Sequence, residues 1–427
     1  MIVRKFIQWS LGASAAARAD GAAALARAYL YSEMTPTDRR EAESAFYALL
    51  DDASPLPRRA LAEAFAGSPD APAAVIQGLA RDNSDISTRV LARSPLLSDA
   101  DLIDCAAVGD SAAQAAIALR PELAPAVCGS LAEIAGREAV IALAVNETAH
   151  VPDFALRRMV ERFGDDGEVR EALIGRAWLP AAARAALADA AARALTAFVV
   201  SRQWVSSARG ERMAQEGRDR ATMIIAAGCA GYSEETAALA AYLRAAGQLT
   251  PAVTLRGLMC GQSGLFEATL AELSGLSARR VGGLAREPWS DAFAAVYLKA
   301  GFPAGLLVAF RSALAAGARI RADDDAEEGA LRLPLIQAVL ADCAKAMARG
   351  EAAGLNNVIS LLRRFELDAA RDKGRRDVAR IQAKPEADSS TVTFGLPATL
   401  TLRPDSQDDE GGVMVDLEAL ERELIAA

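Results

Sequence analysis

Histidine is almost missing from this chain: among 427 residues, His150 stands alone. A single imidazole excludes the HExxH zinc sites, His-rich metal clusters and facial triads, all of which need two or more. Cysteine is sparse and scattered. Cys105, Cys128, Cys229, Cys260 and Cys343 are odd in number and never spaced as C-x-x-C. That pattern argues against a disulfide framework and fits small buried thiols in a reducing cytoplasm. Strand-length runs of β-branched residues are nearly absent before residue 390, so a sheet-based fold is disfavoured. No apolar run approaches the ~20 residues of a membrane-spanning helix. Hydrophobic residues nevertheless make up 52% of the chain, far more than a disordered polypeptide carries. Positive charge is also in deficit: 47 Lys and Arg against 56 Asp and Glu give a net charge of −9, which argues against nucleic acid as a partner.

What is abundant is alanine, leucine, arginine and glutamate, all strong helix formers. Helix starts recur. Thr35-Pro36-Thr37-Asp38 offers a capping threonine, a proline at the first helical position and an acid in the first turn. Ser98-Asp99-Ala100-Asp101, Ser233-Glu234-Glu235 and Thr250-Pro251 read the same way. At the N-terminus, Arg4-Lys5 before Phe6-Ile7-Gln8-Trp9 loosely mimics a secretion signal. Gln8, Ser10 and Gly12 interrupt the apolar stretch, so the expectation is an ordinary first helix burying Ile2, Val3, Phe6 and Ile7.

An internal repeat is the most informative feature. Leu96, Leu123, Val151 and Leu179 are spaced 27, 28 and 28 residues apart, with Val90, Ile117, Val145 and Leu173 six residues upstream of them. Ile86, Ala113, Ile141 and Val169 form a third column. A unit of this length holds two short helices and two turns. One such pair cannot bury its apolar face alone, so the pattern predicts an all-α, HEAT-like solenoid of stacked helix pairs.

Composition divides the chain into an N-terminal helical segment (1–34), the helical repeat domain (35–195), a second all-helical domain (196–370) and a charged tail (371–427). A long alanine-rich helical stretch opens at Pro180 and should break near Ser206-Ser207 or Gly210, with a second set of short helices after it. Residues 363–384 carry eight bases against four acids, whereas residues 405–427 carry eight acids against Arg422. Thr391–Phe394 and Thr399–Leu402 suggest a weak hairpin. The tail reads as disordered apart from an amphipathic helix, Val413 to Leu424, with Leu417, Leu420 and Leu424 on one face.

Chemistry-bearing motifs are few. Gly257, Gly261 and Gly264 lack the lysine of a phosphate loop, and no G-x-S-x-G elbow is present. His150 falls at an inter-helix corner and reads as a loop histidine, and Asp323–Glu328 lacks the closing pattern of a calcium loop. No catalytic residue, cofactor or metal is therefore assigned. Three residues before the repeat leucines stand Arg93, Arg120 and Arg176, with Thr148 in the remaining unit. Stacking would align the arginines along one edge as candidates for binding carboxylates or phosphates of a partner. The preferred reading is that each caps a helix C-terminus. Leu417, Leu420 and Leu424 are candidates for docking into a partner's groove.

Pro72-Ala73-Ala74-Val75-Ile76, Leu79-Ala80-Arg81-Asp82 and Leu91-Ala92-Arg93-Ser94-Pro95-Leu96-Leu97-Ser98-Asp99 resemble the bacterial family known as domain of unknown function 2336. Thr254-Leu255-Arg256-Gly257-Leu258, Leu265–Ala271 and Tyr297–Pro303 continue the likeness, which covers about residues 50–310. The resemblance implies a bacterial, cytoplasmic helical-repeat protein and brings no catalytic residues with it. The leading functional expectation is a non-enzymatic protein-interaction scaffold or regulatory adaptor, with a homo-oligomer compatible. One alternative is a hydrolase or transferase using carboxylates in an inter-domain cleft. The other is a peripheral membrane adaptor using the first helix and the basic stretch.

Overall fold

The structure, a computed structural model, describes residues 2–229, 231, 233–320, 328–349 and 355–383. The fold is all-α: among the described residues there are 22 α-helices, one short 3₁₀ turn and no strand. The first twelve are α1 (Ile2–Ser10), α2 (Ala15–Tyr31), α3 (Pro36–Leu50), α4 (Pro55–Phe65), α5 (Ala73–Ala80), α6 (Ser84–Arg93), α7 (Asp99–Val108), α8 (Ser111–Ala118), α9 (Pro125–Ile134), α10 (Arg137–Val145), α11 (Asp153–Phe163) and α12 (Gly167–Ile174). Two long helices follow, α13 (Ala181–Ser201) and α14 (Ser207–Ala227). The remainder are α15 (Glu234–Ala245), α16 (Pro251–Met259), α17 (Ser263–Ser274), α18 (Ala278–Ala285), α19 (Asp291–Lys299), α20 (Leu307–Gly317), α21 (Leu333–Ala348) and α22 (Leu355–Ala383). Chain compactness separates residues 1–374 from 375–427; of the latter, only the last turns of α22 are described.

The capping signals act as expected. Thr35, Ser98, Ser233 and Thr250 each accept a hydrogen bond from a first-turn amide, and Ser98 with Asp101 forms a full capping box. Of the four orphan amides at a helix start, three where proline takes the first position, one is thereby satisfied, which stabilises each start by about 1 kcal/mol. In α1, Phe6 packs on the core, whereas Ile7 is exposed. The expectation that Ile7 is buried is corrected: Phe6 alone of the two packs inward, over Gly21, and Trp9, three residues on and in ring contact with it, stays exposed.

Alternate helices pack on one another in two series, α2–α4–α6–α8–α10–α12 and α7–α9–α11–α13–α15–α17. The start residues of α6, α8, α10 and α12 are preceded by Asn83, Asp110, Gly136 and Asp166, which are 27, 26 and 30 residues apart. The third unit is therefore offset by two from the columns read in the sequence. Val145 is 54% exposed, and Leu143 fills its column while Ala139 fills that of Ile141. In the true register Ile86, Ala113, Ala139 and Val169 are buried, as are Val90, Ile117, Leu143 and Leu173. The slip has a simple cause. Helices α10 and α11 and the connections after them are each one residue longer than α8, α9 and theirs.

Two apolar cores result. The first runs from Ala22 to Ala190. The second, from Ala181 to Ala369, is centred on Phe266, Phe293, Tyr297, Phe302 and Phe310. They share α13: Ala183, Ala186, Leu187 and Ala190 face the first core, and Ala181 and Ala185 the second. Tyr242 of α15 packs against both. All five cysteines are free and buried. Burial pushes the Cys260 thiol up to about 12, and those of Cys128 and Cys343 to about 11.

Helix α22 continues through position 371, where composition places the start of the tail, and it carries residues 363–383 of the basic stretch, with Phe365 buried. The hairpin at 391–402, the amphipathic helix carrying Leu417, Leu420 and Leu424, and the acidic run at 323–327 lie outside the described residues.

Candidate functional site

The corrected register places Arg93, Arg120, Asn146 and Arg176 at one equivalent position, ten residues after each preceding cap. Arg120 donates from Nη1 to the Leu91 carbonyl at 2.7 Å and from Nη2 to that of Ser94 at 2.8 Å. Asn146 donates from Nδ2 to the carbonyls of Ala118 and Arg120 at 2.8 and 2.6 Å. Nη1 of Arg176 reaches the carbonyls of Leu143, Ala144 and Asn146 at 3.2, 2.9 and 3.1 Å. Each side chain thus satisfies the open C-terminal carbonyls of the preceding helix in its own series, where the helix dipole also favours a cation. Thr148, which the sequence register aligned with the arginines, instead donates through its hydroxyl to Asn146 Oδ1 at 2.8 Å. Burial pulls both Arg120 and Arg176 below the ordinary arginine value, as desolvation of a cation requires.

The structure does not bring the three arginines together as a binding edge. Arg120 and Arg176 are engaged inside the fold. Arg93 is exposed, and among the described residues it forms no hydrogen bond or ion pair. Arg162, not singled out in the sequence, performs the same task in the other series, donating to Ala132 and Ala135 carbonyls at 2.8 and 2.9 Å. Further ties one helix pair apart include Arg137 with Asp166 at 2.7 Å and Arg158 with Glu133 at 2.7 Å. The only signal for these in the sequence is polar residues recurring at helix ends.

His150 is exposed in the α10–α11 connection, where its amide donates to the Leu123 carbonyl at 3.0 Å. Gly257 and Gly264 are buried within helices. Gly261 has φ +80°, and the Arg332 guanidinium occupies the space a Cβ would take, so this segment is helix packing. Among the described residues no group of three His, Cys, Asp or Glu side chains is placed to hold a metal ion, and no helix is long and apolar enough to cross a membrane.

Two surface features stand out. A cleft of about 720 Å³ opens where the α12–α13 turn, α13, the end of α14 and the start of α15 meet. The single carboxylate among its described lining residues, Glu235, accepts from the Ala181 amide at 2.6 Å and so caps α13. The convergent pair that carboxylate-based hydrolysis needs is not assembled there.

The second feature is the far half of the α13–α14 hairpin. At its base Asp189 binds Arg193, Arg218 and Gln248. Beyond Ala190, none of residues 191–213 belongs to either apolar core. The two helices close on each other through Gly210, where an added Cβ would lie 3.0 Å from Val200 and 3.1 Å from Thr196. Yet Leu195, Phe198, Trp204 and Met213 are exposed, Trp204 by 69%. Phe198 and Trp204 meet edge-to-face at 5.7 Å, and Arg202 lies over the Phe198 ring. The same segment carries Arg193, Arg202, Arg209 and Arg212 against Glu211, all exposed.

A family profile described as an uncharacterised protein conserved in bacteria, DUF2336, matches residues 86–349. The chain belongs to the DUF2336 family. The matched region begins in α6 and ends past α21, so the family portion holds part of the helix stack, the α13–α14 hairpin, the cleft and the aromatic core. No curated protein and no solved structure matches the chain.

Proposed function

We propose that this DUF2336 protein is an interaction adaptor. In this reading its stacked helix pairs are a HEAT-like solenoid, and it engages a protein partner through the end of the α13–α14 hairpin. The observation that carries the proposal is the exposed set Leu195, Phe198, Trp204 and Met213 on a hairpin end outside both cores. Aromatic residues and arginine are the side chains that supply most binding energy at protein interfaces. Leaving these four apolar groups about half exposed forgoes roughly half of the ~1.5–3 kcal/mol that full burial of each would bring, a cost that recovery in a complex would offset. The four surrounding arginines select a partner surface with an apolar centre and acidic rim. Five buried free thiols support a reducing compartment such as the cytoplasm.

The test is photocrosslinking in the native host, with a benzoylphenylalanine placed at 204 and, separately, at exposed position 119. The adaptor reading expects a recurrent protein adduct from position 204 that is missing from 119 and disappears with Arg209→Glu/Arg212→Glu. Identical adducts at both positions, or none, would overturn it.

A lipid-surface reading rests on a different observation: Ile7, Trp9 and Leu11 are exposed at the end of α1 beside Lys5, the composition of an interfacial anchor. Flotation with anionic vesicles that is abolished by Trp9→Ser/Leu11→Ser would favour it. Flotation unchanged by those substitutions, or none at all, would remove it.

A further inference from the structure

The cleft at the base of α13 has a volume of about 720 Å³, within the range of small-molecule sites. Its walls are mostly apolar. Leu187 and Ala188 come from α13, Ile225 from the end of α14, and Trp178 from the preceding turn, with its ring 59% exposed at the rim. Three of the polar side chains on its border already have partners. Arg176 donates to backbone carbonyls, Glu235 accepts from Ala181, and the Ser233 hydroxyl accepts from the Thr236 amide at 3.2 Å.

Arg184 is different. It is half-buried, its Nε is buried without a hydrogen-bond partner, and no carboxylate among the described residues forms an ion pair with it. Elsewhere on the guanidinium its partner is the Cys229 thiol, a weak and neutral acceptor. Burial raises that thiol despite the opposing pull of Arg184, so the sulfur stays protonated and is no counter-ion. The end of α14 also lies close, with Nη1 3.5 Å from the Cβ position of Gly228, but among the described residues no carbonyl there accepts from the guanidinium. A partly desolvated cation facing an apolar cleft is electrostatically incomplete, and a bound anion would complete it through a forked, charge-assisted pair.

We infer that the cleft binds an amphiphilic organic anion, with a single carboxylate or similar head on Arg184 and an apolar chain or ring along Leu187, Ile225 and Trp178. This site is independent of the hairpin surface, so partner and ligand can be tested separately.

Decanoate and decanol are the probes, titrated by calorimetry into the full chain. The expected result is saturable one-to-one binding of decanoate at least tenfold tighter than decanol. Arg184→Gln should remove that preference while leaving decanol binding unchanged, and Arg184→Lys should restore part of it. Arg93→Gln, an exposed arginine away from the cleft, should change nothing. Ala191→Trp narrows the cleft from its exposed rim without touching the core, and should abolish binding of both probes. This second variant keeps the test decisive if the Arg184 variants fold poorly. Absence of saturable decanoate binding to the folded wild type would overturn the inference. Equal decanoate affinity in wild type and Arg184→Gln, or undiminished binding in Ala191→Trp, would do the same.

Discussion

In the first half of the chain, neighbouring helices are joined by side chains that recur once per helix pair: Arg120 to Leu91 and Ser94, Asn146 to Ala118, Arg176 to Leu143 and Ala144. In the second half the corresponding task falls to one cluster, where Tyr297 and Phe310 sit 5.3 Å apart, with Phe266, Phe293 and Phe302 around them. The buried arginine there, Arg256, lies over Phe365 and 3.6 Å from Asp368. Helices tied at their ends by separate hydrogen bonds share stability among many similar junctions, so loss of one is local. A cluster in which each ring touches several others concentrates stability, so loss of one ring is felt by all of them.

The largest expected effect follows from that contrast. Phe310→Ala should destabilise the second core by about 3–5 kcal/mol through lost burial and the cavity left behind. Urea unfolding followed by circular dichroism should then become biphasic, with the α13-facing first core persisting longer. A single transition displaced as a whole would show instead that α13 couples the two cores completely, and the contrast between them would fall.

Acid should act mainly on the first half. Arg18 and the Ser54 amide hold the Asp52 carboxyl below the usual range, and Arg137 with the Val169 amide does the same for Asp166. A depressed folded-state value contributes stability that is present above the unfolded value, about 4, and lost as pH falls through the folded one. Asp219 in the second half is shifted the opposite way, raised by burial, and so opposes folding at neutral pH and ceases to do so once protonated. Thermal unfolding between pH 6 and 3 should therefore show the first core weakening before the second. Salt should reduce the difference, because Asp166 is solvent-accessible. Simultaneous weakening of both would break the comparison.

The smallest stability effect is expected at the hairpin end. Phe198→Ser/Trp204→Ser should shift the unfolding free energy by no more than ~0.5 kcal/mol, since these rings touch each other and neither core. A loss above 2 kcal/mol would assign them to the fold rather than to a partner.

The helical class was readable because capping residues and apolar spacing recur, and because alanine and leucine leave strands little to build with. The register was not fully readable. Between Gly136 and Asp166 four consecutive segments each gain one residue, a gradual drift that column spacing absorbs as 28 rather than revealing as 26 and 30. That drift paired the arginines with Thr148 instead of Asn146. The hairpin end was hidden for another reason: Leu195 and Phe198 have the spacing of a core-facing helix, and periodicity cannot say whether a face meets protein or water. The cleft draws Trp178, Arg184 and Ile225 from three elements, so no local spacing announces it.

Polar residues that recur at helix ends hold neighbouring helices of the first half together. Arg93 and Arg120 occupy equivalent positions, one exposed and one anchored on two carbonyls, so the most direct measurement compares urea unfolding of Arg120→Met with Arg93→Met. Arg120→Met should lower the unfolding free energy by about 1.5–3 kcal/mol, and Arg93→Met by no more than ~0.5 kcal/mol. Equal, small losses in the two variants would contradict that role.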